Sequence, residues 1–233
     1  MTVVEIPHDG PGLTQQLRPC RHRSGRPKGP LALGLWVMGA HCWGGPIIGG
    51  GSGPYGDLLT PTLVPGVTNV RAIAGGTYHS CALLIDGSEK CWGHNDFGQL
   101  GNPAAPSDGT TRPPIAVQGL TGATAITAGN LHSCALLAVG TAKCWGANPN
   151  GQVGNGPASQ QRVITPVAVQ GLAGATAISA GGWGGGYSGA DAPGHSCALL
   201  PTGTVKCWGL NAYGQLGDST TTDRFVPTLV QGL

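Results

Sequence analysis

Charged side chains are scarce in this chain, where they make up only 9% of the 233 residues. Five of the twelve basic residues lie close together near the N-terminus, between Arg18 and Lys28. From Arg71 onward, seven basic residues are balanced by seven acidic ones, whereas a nucleic-acid-binding domain normally carries a basic stripe. No apolar run reaches the ~18 residues that a membrane span needs. We therefore expect neither a nucleic-acid partner nor a membrane span.

Motifs that perform catalysis or hold cofactors are also missing. The sequence contains no phosphate-binding Gly-x-x-x-x-Gly-Lys-Ser/Thr, no paired carboxylates and no His-Glu-x-x-His. His79, Cys81 and Cys91 could supply three zinc ligands, but the Cys-x₂₋₄-Cys spacing of structural zinc sites does not occur. We therefore expect no enzymatic activity, no cofactor and no metal site.

A sustained helical period is absent too, and the chain is rich in glycine (43) and proline (19). Such a content can signal disorder. Here the glycines recur at fixed places in a repeat: His-Ser-Cys-Ala-Leu-Leu begins at residues 79, 132 and 195, and Lys-Cys-Trp-Gly begins at 90, 143 and 206. The sequence therefore predicts a turn-rich, all-β repeat fold.

Each repeat unit supplies four short strands. The two cysteine-bearing strands are followed by a polar loop, a proline-led strand and a strand of small residues. Successive Cys-Trp-Gly motifs begin at residues 42, 91, 144 and 207, so the units are 49 to 63 residues long. Four strands in a unit of this size are typical of a propeller blade.

The cysteine spacing predicts the register of each hairpin. Ten positions separate the two cysteines, and a three-residue loop that ends in a left-handed glycine brings residues with this even separation opposite each other. Opposite residues of antiparallel strands lie within disulfide range, which implies an oxidising compartment. Buried, reduced thiols are the alternative. The predicted disulfides are Cys81–Cys91, Cys134–Cys144 and Cys197–Cys207.

The N-terminal part is the least regular. Residues 1–30 show no strand pattern and are predicted to be an unstructured or leader segment. The apolar run 31–40 fits either a signal peptide or, as we favour, the first strand of a degenerate hairpin in which Ala32 lies opposite Cys42. The predicted propeller region is 31–233, with units at 31–74 (degenerate), 75–127, 128–180 and 181–233.

Residues that recur in every unit are expected to serve the fold, because an active site needs one asymmetric group of residues. Each repeated histidine is predicted to bond neighbouring backbone, and its adjacent serine points to the opposite face of the strand, so that the two do not form a catalytic pair. The repeated tryptophans are predicted to pack between blades. These residues are His79, His132 and His195 and Trp92, Trp145 and Trp208.

One segment, residues 183–193, interrupts the repeat. It lies between a small-residue strand and the last cysteine hairpin, and propeller insertions of this kind form loops on one face. Trp183, Tyr187 and Asp191 provide aromatic groups and a charge, a composition suited to a protein contact. They are the candidate partner-binding residues, and a neutral glycine-rich loop is the alternative.

The string Gly-Gly-x-x-His-Ser-Cys-Ala-Leu, followed by Cys-Trp-Gly-x-Asn-x-x-Gly-Gln-Leu-Gly, resembles the regulator of chromosome condensation repeat family over residues 42–233. The cysteine-bearing form is similar to secreted bacterial members. The resemblance implies a propeller, seven-bladed in the family, with the small-residue strand innermost. About four blades would leave open edges that favour association, as in a fragment or in a protomer that closes against another chain.

The resemblance implies a non-enzymatic interaction module that is secreted or at the cell surface and binds an unidentified protein through rim loops. Self-association through open blade edges is a further expectation. The alternative is a cytoplasmic guanine-nucleotide exchange factor for a small GTPase, which is the founding activity of the family that this chain resembles. An accessory or adhesion domain is a third possibility.

Overall fold

The computed structural model describes residues 18–20, 31–36, 39–44, 58–156, 161–182 and 193–233. Within these residues the fold is all-β, with four antiparallel sheets of four strands each. Sheets 1 to 4 follow one another along the chain, and within each sheet the strands lie side by side in chain order. The predicted all-β architecture of four-stranded units is confirmed.

The strand bounds show how each sheet is built from one stretch of the chain. Sheet 1 contains β1 Arg18–Cys20, β2 Leu31–Trp36, β3 Gly39–Gly44 and β4 Leu58–Thr68. Sheet 2 contains β5 Val70–Gly75, β6 His79–Leu84, β7 Glu89–Gly93 and β8 Arg112–Ala116. Sheet 3 contains β9 Ala123–Ala128, β10 His132–Leu137, β11 Ala142–Ala147 and β12 Arg162–Ala168. Sheet 4 contains β13 Ala177–Gly181, β14 His195–Leu199, β15 Val205–Gly209 and β16 Arg224–Leu229.

The strands of small residues are where neighbouring sheets come closest. Strand β9 contacts both β5 and β13, the corresponding strands of sheets 2 and 4. Alanine and threonine dominate β9, and such short side chains allow strands to approach closely. Sheets 2 to 4 begin at these strands (residues 70, 123 and 177), a few residues before the predicted unit starts at 75, 128 and 181.

The cysteine hairpins have the predicted register. Cys81 lies opposite Cys91, and the same pairing recurs at Cys134–Cys144 and Cys197–Cys207. All three pairs are disulfide-bonded, with Cα atoms 4.1 Å apart. The loop closes with a hydrogen bond from the Leu84 N–H to the Ser88 carbonyl (2.8 Å), and Gly87 has a φ of 78°. A left-handed glycine therefore closes the three-residue loop, as the spacing predicts.

Sheet 1 differs from the expectation in two respects. Residues 31–44 form the expected hairpin, but Leu33, not Ala32, lies opposite Cys42. The prediction of Ala32 was wrong because Trp36 pairs with Gly39, which leaves two residues between the strands and makes the separation of opposite residues odd. In addition, the short strand β1 lies within the segment 1–30 and pairs with β2, where the sequence shows no strand pattern.

The apolar core lies between the sheets. Trp145 packs in a buried cluster with Leu83 and Leu100 of sheet 2, and Trp208 packs in another with Leu136 and Val153 of sheet 3. Trp92 packs against Cys42 and Val64 of sheet 1. Each repeated tryptophan therefore fills the space between its own sheet and the preceding one, as expected.

The disulfides predict a defined mass for the oxidised protein. After expression in an oxidising compartment, we expect the intact mass to fall short of the all-thiol mass by at least six hydrogens, two for each of the three bonds. Non-reducing peptide mapping should link Cys81 to Cys91 and show the two corresponding pairs. A Cys81→Ser/Cys91→Ser variant is the control, since it should lack one link. Free thiols at these six cysteines of the folded protein, detected by alkylation, would contradict the pairing.

Candidate functional site

The repeated histidines connect neighbouring sheets. His79 Nε2 in sheet 2 lies 2.8 Å from Ser133 Oγ in sheet 3, and His132 Nε2 in sheet 3 lies 3.0 Å from Ser196 Oγ in sheet 4. All four residues are fully buried. The polar group that recurs in the sequence is therefore a contact between sheets.

One backbone carbonyl organises the contact between sheets 2 and 3. Ser133 Oγ donates to the Gln99 carbonyl (3.2 Å), and Trp145 Nε1 donates to the same oxygen (3.0 Å). Because the serine proton is directed to the carbonyl, the serine oxygen accepts the proton of His79 Nε2. The histidine is therefore the neutral tautomer that carries its proton on Nε2.

The contact between sheets 3 and 4 has the same geometry. Ser196 Oγ and Trp208 Nε1 both donate to the Gln152 carbonyl at 3.0 Å. We call the four groups of each contact (histidine, serine, glutamine carbonyl and tryptophan) the intersheet network. Its repetition with the same directions indicates a structural role.

A tight polar loop presents the glutamine carbonyl. In sheet 2 the Asn95 side chain accepts from the Leu100 N–H (3.1 Å) and donates to the Ala105 carbonyl (2.7 Å). Gly101 follows with a φ of 67°, and a Cβ there would lie 2.8 Å from Trp145 Nε1. The glycine is required both by the backbone conformation and by the approach of the indole. The Asn95 side chain therefore holds together the loop that presents the Gln99 carbonyl.

Burial keeps the histidines neutral. Removal from water lowers the pKa of His79 from 6.5 to about 3, with a smaller contribution from His94. Burial likewise lowers the pKa of His132 to about 3. The pKa of His195, which is less buried, is also lowered by burial. A charged imidazole would lose its hydration without gaining a counter-ion.

This arrangement cannot activate serine as a nucleophile. A general base must accept the hydroxyl proton, whereas His79 Nε2 donates to Ser133 and the serine donates to a carbonyl. Sequence reasoning rejected the adjacent His79–Ser80 pair, and the structure agrees because the bonded serine lies 54 residues away. The prediction that His79 bonds neighbouring backbone was wrong, because its partner is the Ser133 side chain. In the sequence, the signal for this pairing was that a serine follows the histidine in all three units.

The repeated lysines form a second intersheet contact that sequence reasoning missed. Lys90 Nζ donates to the Gly66 carbonyl of sheet 1 at 2.7 Å, and Lys143 Nζ donates to the Gly119 carbonyl at 3.0 Å. Lys206 makes the corresponding, longer bond to Gly171 (3.4 Å). The lysine of each Lys-Cys-Trp-Gly motif thus contacts the turn before its own sheet.

The candidate partner-binding residues Trp183, Tyr187 and Asp191 lie outside the described residues. The structure does place the two ends of the segment that carries them. A Cβ on Gly182 would overlap the Pro193 carbonyl oxygen and would lie 2.8 Å from Asn130 Cβ. Gly182 and Pro193 therefore lie next to each other, beside the loop of sheet 3 that contains Asn130.

The described part of the chain has neither a metal-binding cluster nor a membrane-spanning helix. There, no three His, Cys, Asp or Glu side chains are grouped so that they could hold a metal ion. Over the same residues, no helix is long and apolar enough to cross a membrane.

Comparison with known families identifies the repeat. Residues 70–99, 123–152 and 193–215 match a sequence profile described as the regulator of chromosome condensation (RCC1) repeat, and residues 91–136 match a second profile of the same description. The matches fall on sheets 2, 3 and 4 and include the cysteine hairpins.

Two similar proteins with known names are much longer than the region they share with this chain. The human probable E3 ubiquitin-protein ligase HERC6 is 32% identical over 208 residues, which are 82% of this chain and 19% of the ligase. The ultraviolet-B receptor UVR8 of Arabidopsis thaliana is 30% identical over 183 residues, 77% of this chain and 39% of the receptor.

Solved structures share the fold. Yeast RCC1 (Prp20) bound to Kap60 superposes with a TM-score of 0.73 at 23% identity, over 97% of this chain and 50% of that one. Human WBSCR16 superposes with a TM-score of 0.70 at 21% identity, over 96% and 54% of the two chains. The sheets are therefore propeller blades.

The intersheet network predicts unequal effects of two serine substitutions. Ser133→Ala leaves the buried N–H of His79 without its acceptor, so we expect it to lower the free energy of unfolding by about 1–3 kcal/mol. Ser80 occupies the corresponding position in sheet 2, is equally buried, and its Oγ has no hydrogen-bond partner among the described residues. Ser80→Ala should therefore cost less. Urea unfolding compares the two, and equal losses would contradict the role of Ser133.

The neutral histidines predict a loss of stability in acid. Their pKa is lowered on folding, so the unfolded chain binds more protons between pH 6.5 and about 3. The stability that the neutral histidines contribute is therefore complete above pH 6.5 and falls as the pH decreases, by up to about 1.4 kcal/mol per pH unit for each histidine. Urea unfolding at pH 7, 6 and 5 measures the slope.

A His79→Gln/His132→Gln variant isolates this effect, since other titrating groups remain. Its stability should depend less on pH than that of the wild-type protein over the same range. Identical slopes in the two proteins would show that these histidines do not cause the acid sensitivity.

Proposed function

The chain belongs to the RCC1 repeat family, and from this membership we propose that it is a non-enzymatic β-propeller module that binds another protein. We further propose that it acts outside the cell or at its surface and binds through the rim segment 183–193. Trp183, Tyr187 and Asp191 are the proposed contact residues.

The proposal rests on the segment 183–193, which occurs in only one of the repeat units. The repeated histidines and lysines already have partners within the fold: His79 and His132 bond serines, and Lys90 and Lys143 bond backbone carbonyls. A partner-specific surface must therefore come from residues that do not recur. Inserted loops on a rigid scaffold commonly carry binding, and aromatic side chains contribute much of the energy of protein contacts.

The three disulfides support the extracellular part of the proposal. Such bonds persist in oxidising compartments and are rare in the reducing cytosol. Four of the six cysteines, namely Cys81, Cys91, Cys134 and Cys144, are fully buried between sheets, which shields them from reductants. If these cysteines proved to be reduced in the native protein, the cytoplasmic exchange-factor alternative would be favoured instead.

An exposed apolar face of sheet 4 supports self-association as a second mode of contact. Leu199 is 40% exposed, although the corresponding Leu83 and Leu136 are buried. Tyr213 is 72% exposed, whereas the corresponding Phe97 packs against Tyr78, Leu131 and Ala147. An apolar sheet face of this kind favours association, and the concentration dependence of the molar mass in solution would test it.

The rim proposal predicts a loss of binding on substitution of its aromatic residues. Covalent crosslinking to the disulfide-bonded chain under extracellular conditions first identifies a partner, and the purified pair is then titrated by calorimetry. Trp183→Ala/Tyr187→Ala should weaken the Kd at least about tenfold, because central aromatic contacts typically contribute more than 1 kcal/mol each.

Val139→Ala is the matched control for this titration. Val139 is 76% exposed, but it lies in the hairpin loop between β10 and β11, at the opposite end of the strands from Gly182 and Pro193. The control should leave Kd unchanged. Equal binding by the rim variant and the wild-type protein would refute the proposed contact.

A further inference from the structure

Glu89 in β7 is an exception within the repeat. The corresponding residues of the next two hairpins are Ala142 and Val205, which are apolar. Glu89 is only 1% exposed, and neither carboxyl oxygen has a hydrogen-bond partner among the described residues. A buried carboxyl without partners is unusual, because burial of such a group is costly.

Alternation along β7 shows which way this carboxyl points. Lys90 and Trp92 contact sheet 1, through the Gly66 carbonyl and the apolar cluster of Cys42 and Val64. Side chains alternate between the two faces of a strand, so Glu89 and Cys91 point the other way. Cys91 lies in the cluster between sheets 2 and 3, and Glu89 therefore faces that same contact.

The surroundings of Glu89 are apolar. The neighbouring cluster contains Leu83, Val117, Leu120 and Ala123, and the Val117 N–H donates to the Glu89 backbone carbonyl at 2.9 Å. In the next contact along the chain, Ala142 occupies the same position in a cluster with Val169, Leu172 and Ala175. The two contacts thus differ at this position by one ionisable group.

The charged groups of the adjoining elements are directed elsewhere. Lys90 Nζ bonds the Gly66 carbonyl on the opposite face of β7, Arg112 at the start of β8 bonds Asp108, and Arg71 in β5 is exposed. Asp86 in the hairpin loop is exposed and accepts from Ser88. His79 of β6 is neutral and bonds Ser133.

Lys143 of sheet 3 also reaches this contact, where its Nζ donates to the Gly119 carbonyl. Among the described residues of these elements, each cation thus bonds another group or is exposed, and none has the Glu89 carboxyl as its partner. The turn at 117–122 and strand β9, which approach from sheet 3, contain no titratable residue. Burial raises the pKa of the Glu89 carboxyl well above its ordinary value of 4.5, in agreement with this geometry.

We propose that Glu89 makes the contact between sheets 2 and 3 a pH-responsive joint, which is tight when the carboxyl is protonated and loosens when it ionises. The protonated acid fits the apolar contact as a neutral group. The carboxylate has no partner there and gains hydration only if the two sheets separate locally. The contact between sheets 3 and 4, which has Ala142 at this position, does not respond in this way.

The direction of the effect follows from proton binding. Because the pKa is raised in the closed contact, the closed form binds more protons than the open form above pH 4.5. The opening constant should therefore rise with pH, by up to about tenfold per pH unit, and level off once the carboxyl ionises in the closed form.

Hydrogen exchange of the full, disulfide-bonded chain tests the proposal. Amide exchange is measured from pH 5 to 9 and corrected for the intrinsic pH dependence of the chemistry. The readout is the ratio of protection at residues 117–128 to protection at residues 169–180, which form the two contacts. Both contacts contain a neutral histidine bonded to serine, so the ratio cancels the effect of the histidines.

In the wild-type protein the ratio should fall as the pH rises, and in Glu89→Ala it should be constant. Ala142→Glu should transfer the pH dependence to residues 169–180. A constant ratio in the wild-type protein, or a falling ratio in Glu89→Ala, would overturn the proposal.

A second measurement stands even if Ala142→Glu fails to fold. The carboxyl ¹³C resonance of Glu89, assigned by its absence in Glu89→Gln, reports its titration directly in the folded wild-type chain. The expected midpoint lies well above 4.5. A midpoint of the Glu89 titration at or below 4.5 would refute the proposal of a pH-responsive joint.

Discussion

Hydrogen bonds around one backbone carbonyl hold sheet 2 in register with sheet 3, and those around another hold sheet 3 in register with sheet 4. The carbonyls of Gln99 and Gln152 each accept from a tryptophan and a serine of the following blade, and that serine accepts from a histidine of the same blade as the carbonyl. Buried polar groups are costly when they lack partners, so each blade requires its neighbour to satisfy its own hydrogen bonds. The apolar packing around the tryptophans adds the larger but less directional stabilisation.

This dependence explains why the repeated residues are poor candidates for function. His79 and His132 donate to serines of the following sheet, and burial holds both histidines neutral, with a pKa of about 3. Function is therefore proposed for features that occur once. The segment at 183–193 is the proposed partner-binding feature, and Glu89 is the proposed pH-responsive one because it places an ionisable group where the next contact has alanine.

Much of the fold could be predicted from the sequence, because the decisive signals are local. The ten-residue cysteine spacing and the glycine at its loop determine the hairpin register, and Cys81 indeed lies opposite Cys91. In the first unit the loop length was assigned by analogy, and there the register was wrong by one residue at Leu33. The candidate site was predicted only in part: the repetition of His79 indicated a structural role, but its partner was assigned to the backbone.

The sequence by itself determined the strands of the three cysteine-bearing units, the disulfide pairs and the number of units, since each depends on residues a short distance apart. Only the tertiary structure decided which groups meet between blades. Ser133 lies 54 residues from His79, and the isolated position of Glu89 depends on apolar residues of sheet 3 and on where Lys90 and Arg112 point. Such contacts arise from the way whole sheets pack, which no local pattern encodes.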